Sequence, residues 1–218
     1  MTRPQPLALP LGDSAITIAF GTERSAELLK LVHSAAASLA AARIPEVEDI
    51  VPAYLGVAVF YDPLRASSSE MISRLLPLCE RAAASTPVPG TNREHQIRVT
   101  YDGPDLGQVS ASTGLAVDEV IARHSGRSYT VDLLGFVPGF AYLSEIDPAL
   151  QLERRPQPRP HVPAGSVAIA GAQTAVYPLD TPGGWHLIGR TDNVMFDPLR
   201  DPPALLRAGD KVRFVPAP

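Results

Sequence analysis

DLLGFVPGFAYL (132–143), PRPHVPAGSVAIAGAQTAVYPL (158–179) and TPGGWHLIGRT (181–191) are three neighbouring blocks crowded with glycine, proline and aromatic residues and almost free of charge. In most chains Gly and Pro stand one or two at a time between elements. Here they repeatedly interrupt short β-type runs: SVAIA (166–170), TAVYPL (174–179) and WHLIG (185–189). Glycine permits backbone angles and close approaches that other residues resist, and proline fixes the path between them. The stretch therefore predicts short barrel strands joined by loops of demanding shape. Tight barrel corners would account for any one glycine. Three such blocks together point to binding loops on a rigid scaffold.

Working outward, QIRVTYD (96–102) predicts a strand, and residues 103–126 predict two short helices. Asp105 can cap the first helix, Val117, Val120 and Ile121 make the apolar side of the second, and Gly126 suits a left-handed C-terminal residue. RSYTVDLLGF (127–136) returns to strand, and KVRFV (211–215) is a final strand after the Gly209-Asp210 turn. Upstream, STPVPGTNREH (85–95) loses apolar periodicity and clusters turn formers, so it predicts a linker between residues 1–90 and 91–218.

Before the linker, a Pro-containing lead precedes the strand AITIAF (15–20). Residues 25–42 are helical, with Leu28, Val32, Ala35 and Leu39 on one stripe and Ser25 placed to cap. EVEDIVPAY (46–54) and LGVAVFYD (55–62) are β-like, and 67–84 is helical again, with Met71, Leu75 and Cys79 aligned. Pro77 should kink that helix or divide it. The order β-α-β-β-α is most of a split βαβ, ferredoxin-like unit. The expected fold class is α+β: an N-terminal ferredoxin-like domain (1–90) followed by a β-barrel domain (91–218).

The 218 residues are 45% hydrophobic and 19% charged, enough for one large or two small cores. A net charge of −4 without a Lys/Arg block argues against nucleic acid as partner. Cys79 is the single cysteine, which excludes an internal disulfide, and its Leu-rich helical setting predicts a buried thiol. No apolar run suits a membrane span or signal peptide, so a cytoplasmic soluble protein is expected. The histidines at 33, 95, 124, 161 and 186 show no paired spacing, and no metal site is expected.

With these segments laid out, the run from His124 through Tyr129 and Val131 to GFVPGFAYL (135–143), PR (158–159), VPAGSV (162–167), GAQTAVYP (171–178), PGGW (182–185), IGRT (188–191) and FDP (196–198) resembles one family. It is that of the 5-oxoprolinase B-subunit, also called allophanate hydrolase subunit 1 or kinase-inhibitor-type proteins, which is related to carboxyltransferase domains. GDSAITIAFG (12–21), IVPAY (50–54) and VFYDP (59–63) are similar to the same family's N-terminal domain. The resemblance implies a cyclophilin-like barrel for residues 91–218. It implies as partners a second barrel subunit, of the type of the 5-oxoprolinase C-subunit or allophanate hydrolase subunit 2, and a lactam-utilisation subunit. The assembly would use ATP with Mg²⁺ to open 5-oxoproline into glutamate. Other members imply two alternatives: inhibition of a histidine kinase, or half of a biotin-dependent carboxyltransferase assembly acting on urea derivatives. Asp132, His161, Ala172 and Ala175 depart from the usual family pattern.

Neither a P-loop nor a Rossmann fingerprint is present in the sequence. Nucleotide contact would use glycine-rich loops and the guanidinium groups of Arg159 and Arg190, each of which can equally be a salt-bridge partner. Gln173 and Tyr177 can donate hydrogen bonds. Phe136, Phe140 and Trp185 can exclude water or simply pack the barrel. His124 can act as acid or base or bond its helix end. The candidate catalytic residues are Arg159, Gln173 and His124. The candidate substrate- or nucleotide-binding residues are Phe136, Pro138, Gly139, Phe140, Tyr142, Pro163, Gly165, Ser166, Tyr177, Gly183, Gly184, Trp185, Arg190 and Thr191. The only lysines, Lys30 and Lys211, lie outside glycine-serine loops and biotin-acceptor motifs, so neither an amidase site nor a biotin carrier is expected. The three glycine-rich blocks should converge on one mouth of the barrel.

Overall fold

Alternation of Ile, Val and small residues in 15–20 and 55–62 makes two strands that each bury one side against helices, and the rest of the N-terminal region assembles on them. The computed structural model describes residues 5–85 and 93–217. It divides into two compact units, 1–91 and 92–218. Strands β1 (Leu7–Pro10), β2 (Ala15–Ala19), β3 (Val47–Pro52) and β4 (Gly56–Tyr61) form an antiparallel sheet in the order β1-β2-β4-β3. Ile16, Ile18, Val57, Val59 and Tyr61 pack with Val32, Ala35 and Leu39 of α1 (Ala26–Ala41) and with Met71, Leu75 and Cys79 of α2 (Ser68–Ala84). Both helices are capped. Ser25 accepts from the Leu28 N–H at 3.0 Å, and Ser67 and Glu70 form a reciprocal capping box. Burial pushes the Cys79 thiol up to about 12, as an inert packing residue requires.

Two expectations change here. The lead before residue 15 contains an edge strand, β1, which fills the sheet position beside β2. Pro77 does not divide its segment: α2 is one helix of 17 residues. Pro77 lies on its exposed side, while Met71, Leu75 and Cys79 anchor the opposite side in the core. The expected linker lies mostly outside the described residues, and its last two residues already belong to a strand.

In the second unit β5 (Glu94–Val99), β6 (Ser128–Leu134), β7 (Ala141–Ser144), β9 (Ser166–Ala170), β10 (Gln173–Val176), β12 (His186–Arg190) and β13 (Lys211–Pro216) form one sheet, ordered β12-β9-β10-β7-β6-β13-β5. Its ends curl together. Thr100, just past β5, exchanges two hydrogen bonds of 2.9 Å with Arg190 at the end of β12, nearly closing a barrel. Glycines allow that seam. A Cβ on Gly103 would stand 2.4 Å from the Leu187 carbonyl oxygen, and one on Gly189 would stand 2.6 Å from that of Thr100. Helices α3 (Leu106–Thr113) and α4 (Val117–Ser125) add Val109 and Val120 to the interior, beside Ile97, Val131, Leu143, Ile169, Ile188 and Phe214. A two-stranded ribbon, β8 (Arg159–Val162) with β11 (Thr181–Gly183), stands apart from the main sheet.

Helix ends differ from expectation in two respects. Asp105 occupies the N-cap position of α3, but its carboxylate makes no cap bond and turns elsewhere. Gly126 ends α4 at φ −75°, which is not left-handed; it is needed because a Cβ would lie 2.7 Å from the Ala122 carbonyl oxygen.

Candidate functional site

Strand β9 is buried along its whole length, which a sheet surface facing water cannot be. Val167 and Ile169 point into the barrel, while Ala168 and Ala170, with Ala175 of β10, point outward. Small outward residues leave room for rings. Phe140 occupies the centre, with ring centroids 4.9 Å from Tyr142, 5.3 Å from Tyr177, 5.7 Å from Trp185 and 5.5 Å from Phe136. Edge-to-face contacts of this kind hold aromatic clusters in fixed geometry. Phe136 sits at φ +70° and is 60% exposed, so this ring faces solvent at the margin of the cluster.

The glycines of the three blocks are fitted to these rings and to one another. A Cβ on Gly183 would stand 2.2 Å from the Tyr177 hydroxyl, and one on Gly139, at φ +79°, 2.6 Å from Phe196 Cβ. Gly165, at φ +81°, carries the turn after Pro163; its N–H donates to the Tyr177 carbonyl and its own carbonyl accepts from the Thr191 N–H. Ser166 and Thr191 are buried beside it. Pro138 belongs to the turn in which the Phe140 N–H donates to the Val137 carbonyl. Gly184 is held by its carbonyl, which accepts from the Arg155 N–H at 2.8 Å.

Positive charge lies alongside. Arg154 stands over Trp185, 6.0 Å from the ring centroid. Arg159 and Arg155 both donate to one oxygen of Asp105, at 2.5 and 2.9 Å, while its other oxygen accepts from the Leu187 N–H at 2.7 Å. Burial pushes the Asp105 carboxyl up, but the Arg159 bond, the Leu187 N–H and the two guanidinium charges outweigh it and hold it below the usual carboxylate value. Two cations thus share one anion, a net charge of +1, and Arg159 Nη1 and Arg155 Nε are buried with no hydrogen-bond partner among the described residues. Burial raises the Tyr177 phenol, and the Trp185 backbone, Arg154 and Arg159 offset part of that rise.

Among the expected residues, Phe136, Phe140, Tyr142, Tyr177 and Trp185 come together, with Arg159 beside them. Arg190 does not join: it pairs with Asp102 at 2.9 Å on the exposed seam of the barrel. His124 leaves the catalytic set. It is fully buried; Thr174 gives its hydroxyl proton to the Ala168 carbonyl and accepts from Nε2 at 2.9 Å, so Nδ1 accepts from Tyr101 at 2.7 Å. With Phe214 stacked at 4.6 Å and burial holding its pKa down to about 3, it is a neutral core residue, and its partners are Tyr101 and Thr174 rather than a helix end. Arg154 and Arg155 are functional candidates that the sequence reading missed. Their signal is a basic pair just before the second block, outside the glycine-rich stretches themselves.

The family model described as carboxyltransferase domain, subdomain C and D, matches residues 6–206. A Bacillus subtilis (strain 168) protein bearing the name of the 5-oxoprolinase B-subunit is 42% identical over 94% of this chain and 90% of its own length. The chain belongs to the 5-oxoprolinase B-subunit family. Among solved structures, TTHA0988 is 40% identical with a TM-score of 0.83 over 94% of this chain, which spans only 40% of that protein's length. The Kluyveromyces lactis urea carboxylase, 15% identical, shares the fold over 99% of this chain and 22% of its own length with a TM-score of 0.72. Among the described residues of this family member, no helix is long and apolar enough to cross a membrane, and no group of three or more His, Cys, Asp or Glu is placed to hold a metal ion.

Proposed function

We propose that the chain is a cytoplasmic, non-autonomous subunit of an ATP-dependent 5-oxoprolinase, opening the lactam of 5-oxoproline together with a second barrel subunit and a lactam-utilisation subunit. The observation that carries this reading is the ring cluster on the outer barrel face with Arg154, Arg155 and Arg159 beside it. It is supported by likeness, along nearly the whole chain, to proteins that bear the name of the 5-oxoprolinase B-subunit. Rings suit the carbon skeleton of a small cyclic substrate, and a guanidinium with unpartnered N–H groups suits its carboxylate. We further propose that the two units are separate domains, the first a ferredoxin-like variant whose edge strand comes from the N-terminus, the second a cyclophilin-like barrel.

The residues present fit one anionic group better than a nucleotide. The net charge beside Asp105 is +1, and the described residues supply no carboxylate cluster for Mg²⁺. ATP with Mg²⁺ therefore belongs, in this proposal, mainly to the partner subunits, where it activates the lactam carbonyl. This chain's residues orient the substrate, exclude water and neutralise its charge.

The test is reconstitution. The purified chain should not hydrolyse 5-oxoproline, and activity should appear with the two partner subunits, ATP and Mg²⁺; turnover by the chain alone overturns the proposal. Arg159→Ala should lower the assembled rate roughly 30- to 1,000-fold, the size of one lost transition-state contact of about 2–4 kcal/mol. Arg159→Lys should recover part of it, because it keeps charge without the planar fork. If both variants melt, assemble and turn over like the parent, Arg159 serves Asp105 alone.

A further inference from the structure

A second feature shares the outer barrel face. Lys211 of β13 lies opposite Thr130 of β6, Thr130 opposite Ser144 of β7, and Ser144 opposite Gln173 of β10. Their neighbours Val212, Tyr129, Val131 and Leu143 point into the barrel, so this row points out, as Tyr142 does two residues before Ser144. All four members of the row are partly exposed, and the row therefore borders the ring cluster while remaining reachable from solvent.

Its hydrogen bonds have a direction. Lys211 Nζ donates to Thr130 Oγ1 at 2.6 Å, which leaves the Thr130 hydroxyl proton and two ammonium protons to be given elsewhere. Ser144 instead gives its proton to Asp132, so its remaining capacity is to accept. Asp132 is fully buried and, two residues along the strand from Thr130, lies on this face at Ser144, while the register shift between Val131 and Leu133 brings Leu133 opposite Tyr142 onto it as well. Strand irregularities of this kind re-aim side chains beside binding sites. Nothing local in the sequence marks Lys211, because its hydroxyl neighbour is 81 residues away.

A donor thus stands on one strand and an acceptor on the next, with about 4.5–5.5 Å between the paired backbones. We infer that this row is a subsite for the edge of a cis amide. Thr130 and Lys211 give protons to the carbonyl oxygen, and Ser144, backed by Asp132, accepts the N–H. Lactams and ureido groups present N–H and C=O on the same side, as this arrangement requires. An open-chain secondary amide is trans and presents them on opposite sides, so it reaches only one. The inference rests on the lactam substrate proposed above and names the residues that read it.

The experiment is saturation-transfer NMR on the full chain with 2-pyrrolidinone and 5-oxoproline, and with N-methylacetamide as the trans control. The two lactams should receive saturation and the control should not. Thr130→Val should weaken lactam binding about 3- to 10-fold, the worth of one hydrogen bond, and Lys211→Met about 10- to 100-fold. Ser144→Ala should do the same as Thr130→Val, with a thermal melt to confirm folding; Thr130→Val, nearly isosteric, keeps the test decisive if Ser144→Ala unfolds. Equal binding of N-methylacetamide, absence of lactam binding by both chain and assembly, or folded variants that bind like the parent each overturn the inference. The two readings fail separately. An assembly that turns over 5-oxoproline equally well with folded Thr130→Val and Ser144→Ala defeats the row and spares the proposed function. Lactam-selective binding at the row without any turnover does the reverse.

Discussion

In the N-terminal sheet one face carries Ile16, Ile18, Val57 and Val59 against two helices, while the other shows Thr17 and Ala58, with Phe60 38%, Leu7 58% and Leu9 50% exposed. The barrel treats its outer face differently. Ala168 and Ala170 are as buried as Val167 and Ile169, because Phe140, Tyr142, Tyr177 and Trp185 lie across them. A sheet covered on one side alternates large with polar or small and exposed residues; one covered on both sides alternates large with small and buried ones. The second pattern leaves space above the alanines, and here rings, arginines and a candidate site occupy it.

Trp185, the only tryptophan, makes the comparison measurable, since its fluorescence follows the barrel while circular dichroism follows both units. The largest effect should come from pH acting on the barrel interior. His124 is held neutral by burial, with its pKa near 3 against an ordinary value of about 6.5. Its contribution is complete above pH 6.5 and is lost as pH falls toward 3, on the order of 4–5 kcal/mol over that window. The Trp185 transition should therefore shift to lower denaturant as pH drops, and His124→Gln should flatten that slope. An unchanged slope would mean that His124 is protonated without unfolding.

On the outer face, Asp105→Asn leaves two guanidinium groups without their shared anion and should cost about 2–3 kcal/mol at neutral pH. The depressed Asp105 pKa means its contribution is present above about pH 4 and disappears as pH falls through the folded value. The gap between variant and parent should narrow in acid, and a gap independent of pH would refute the ionic explanation. Gly183→Ala pushes a methyl group against the Tyr177 hydroxyl and should cost about 1–3 kcal/mol. A parent-like melt would show that the ribbon rides loosely over the rings.

The smallest effects separate the two sheets most directly. Ala168→Val overpacks the covered face and should cost about 1–2 kcal/mol. Ala58→Val, on the open face of the N-terminal sheet, should stay within about 0.5 kcal/mol. Equal costs at the two positions, read from denaturant midpoints, would erase the distinction between the two faces.

Much of this fold is legible wherever one local pattern has one meaning. Ser25 and Ser67 begin helices, the alternation in 15–20 makes a strand, and the rings of the three blocks meet, though on the outer wall of the barrel rather than at one mouth. Illegible features depend on partners far away. Asp105 has the sequence appearance of a cap, yet Arg155 and Arg159, some fifty residues on, claim its carboxylate. Leu7–Pro10 has too many prolines around it to suggest a strand, and becomes one because β2 offers an edge. Lys211 is isolated along the chain, and only the register of β13 against β6 sets it beside Thr130.

The parallel pairing of β5 with β13 has a consequence for how the barrel comes into being. Glu94 pairs with Lys211 and Val99 with Pro216, so the unit's first strand is completed by its last. During synthesis the early strand must wait, one edge bare, until more than a hundred further residues have left the ribosome. Such distant pairing slows folding, because a large loop is closed before the contact repays it. A nascent chain not yet extended past Val131 and on to Lys211 lacks both the closing strand and the ammonium group of the amide row. Final closure of the barrel and completion of that row would then be one and the same event.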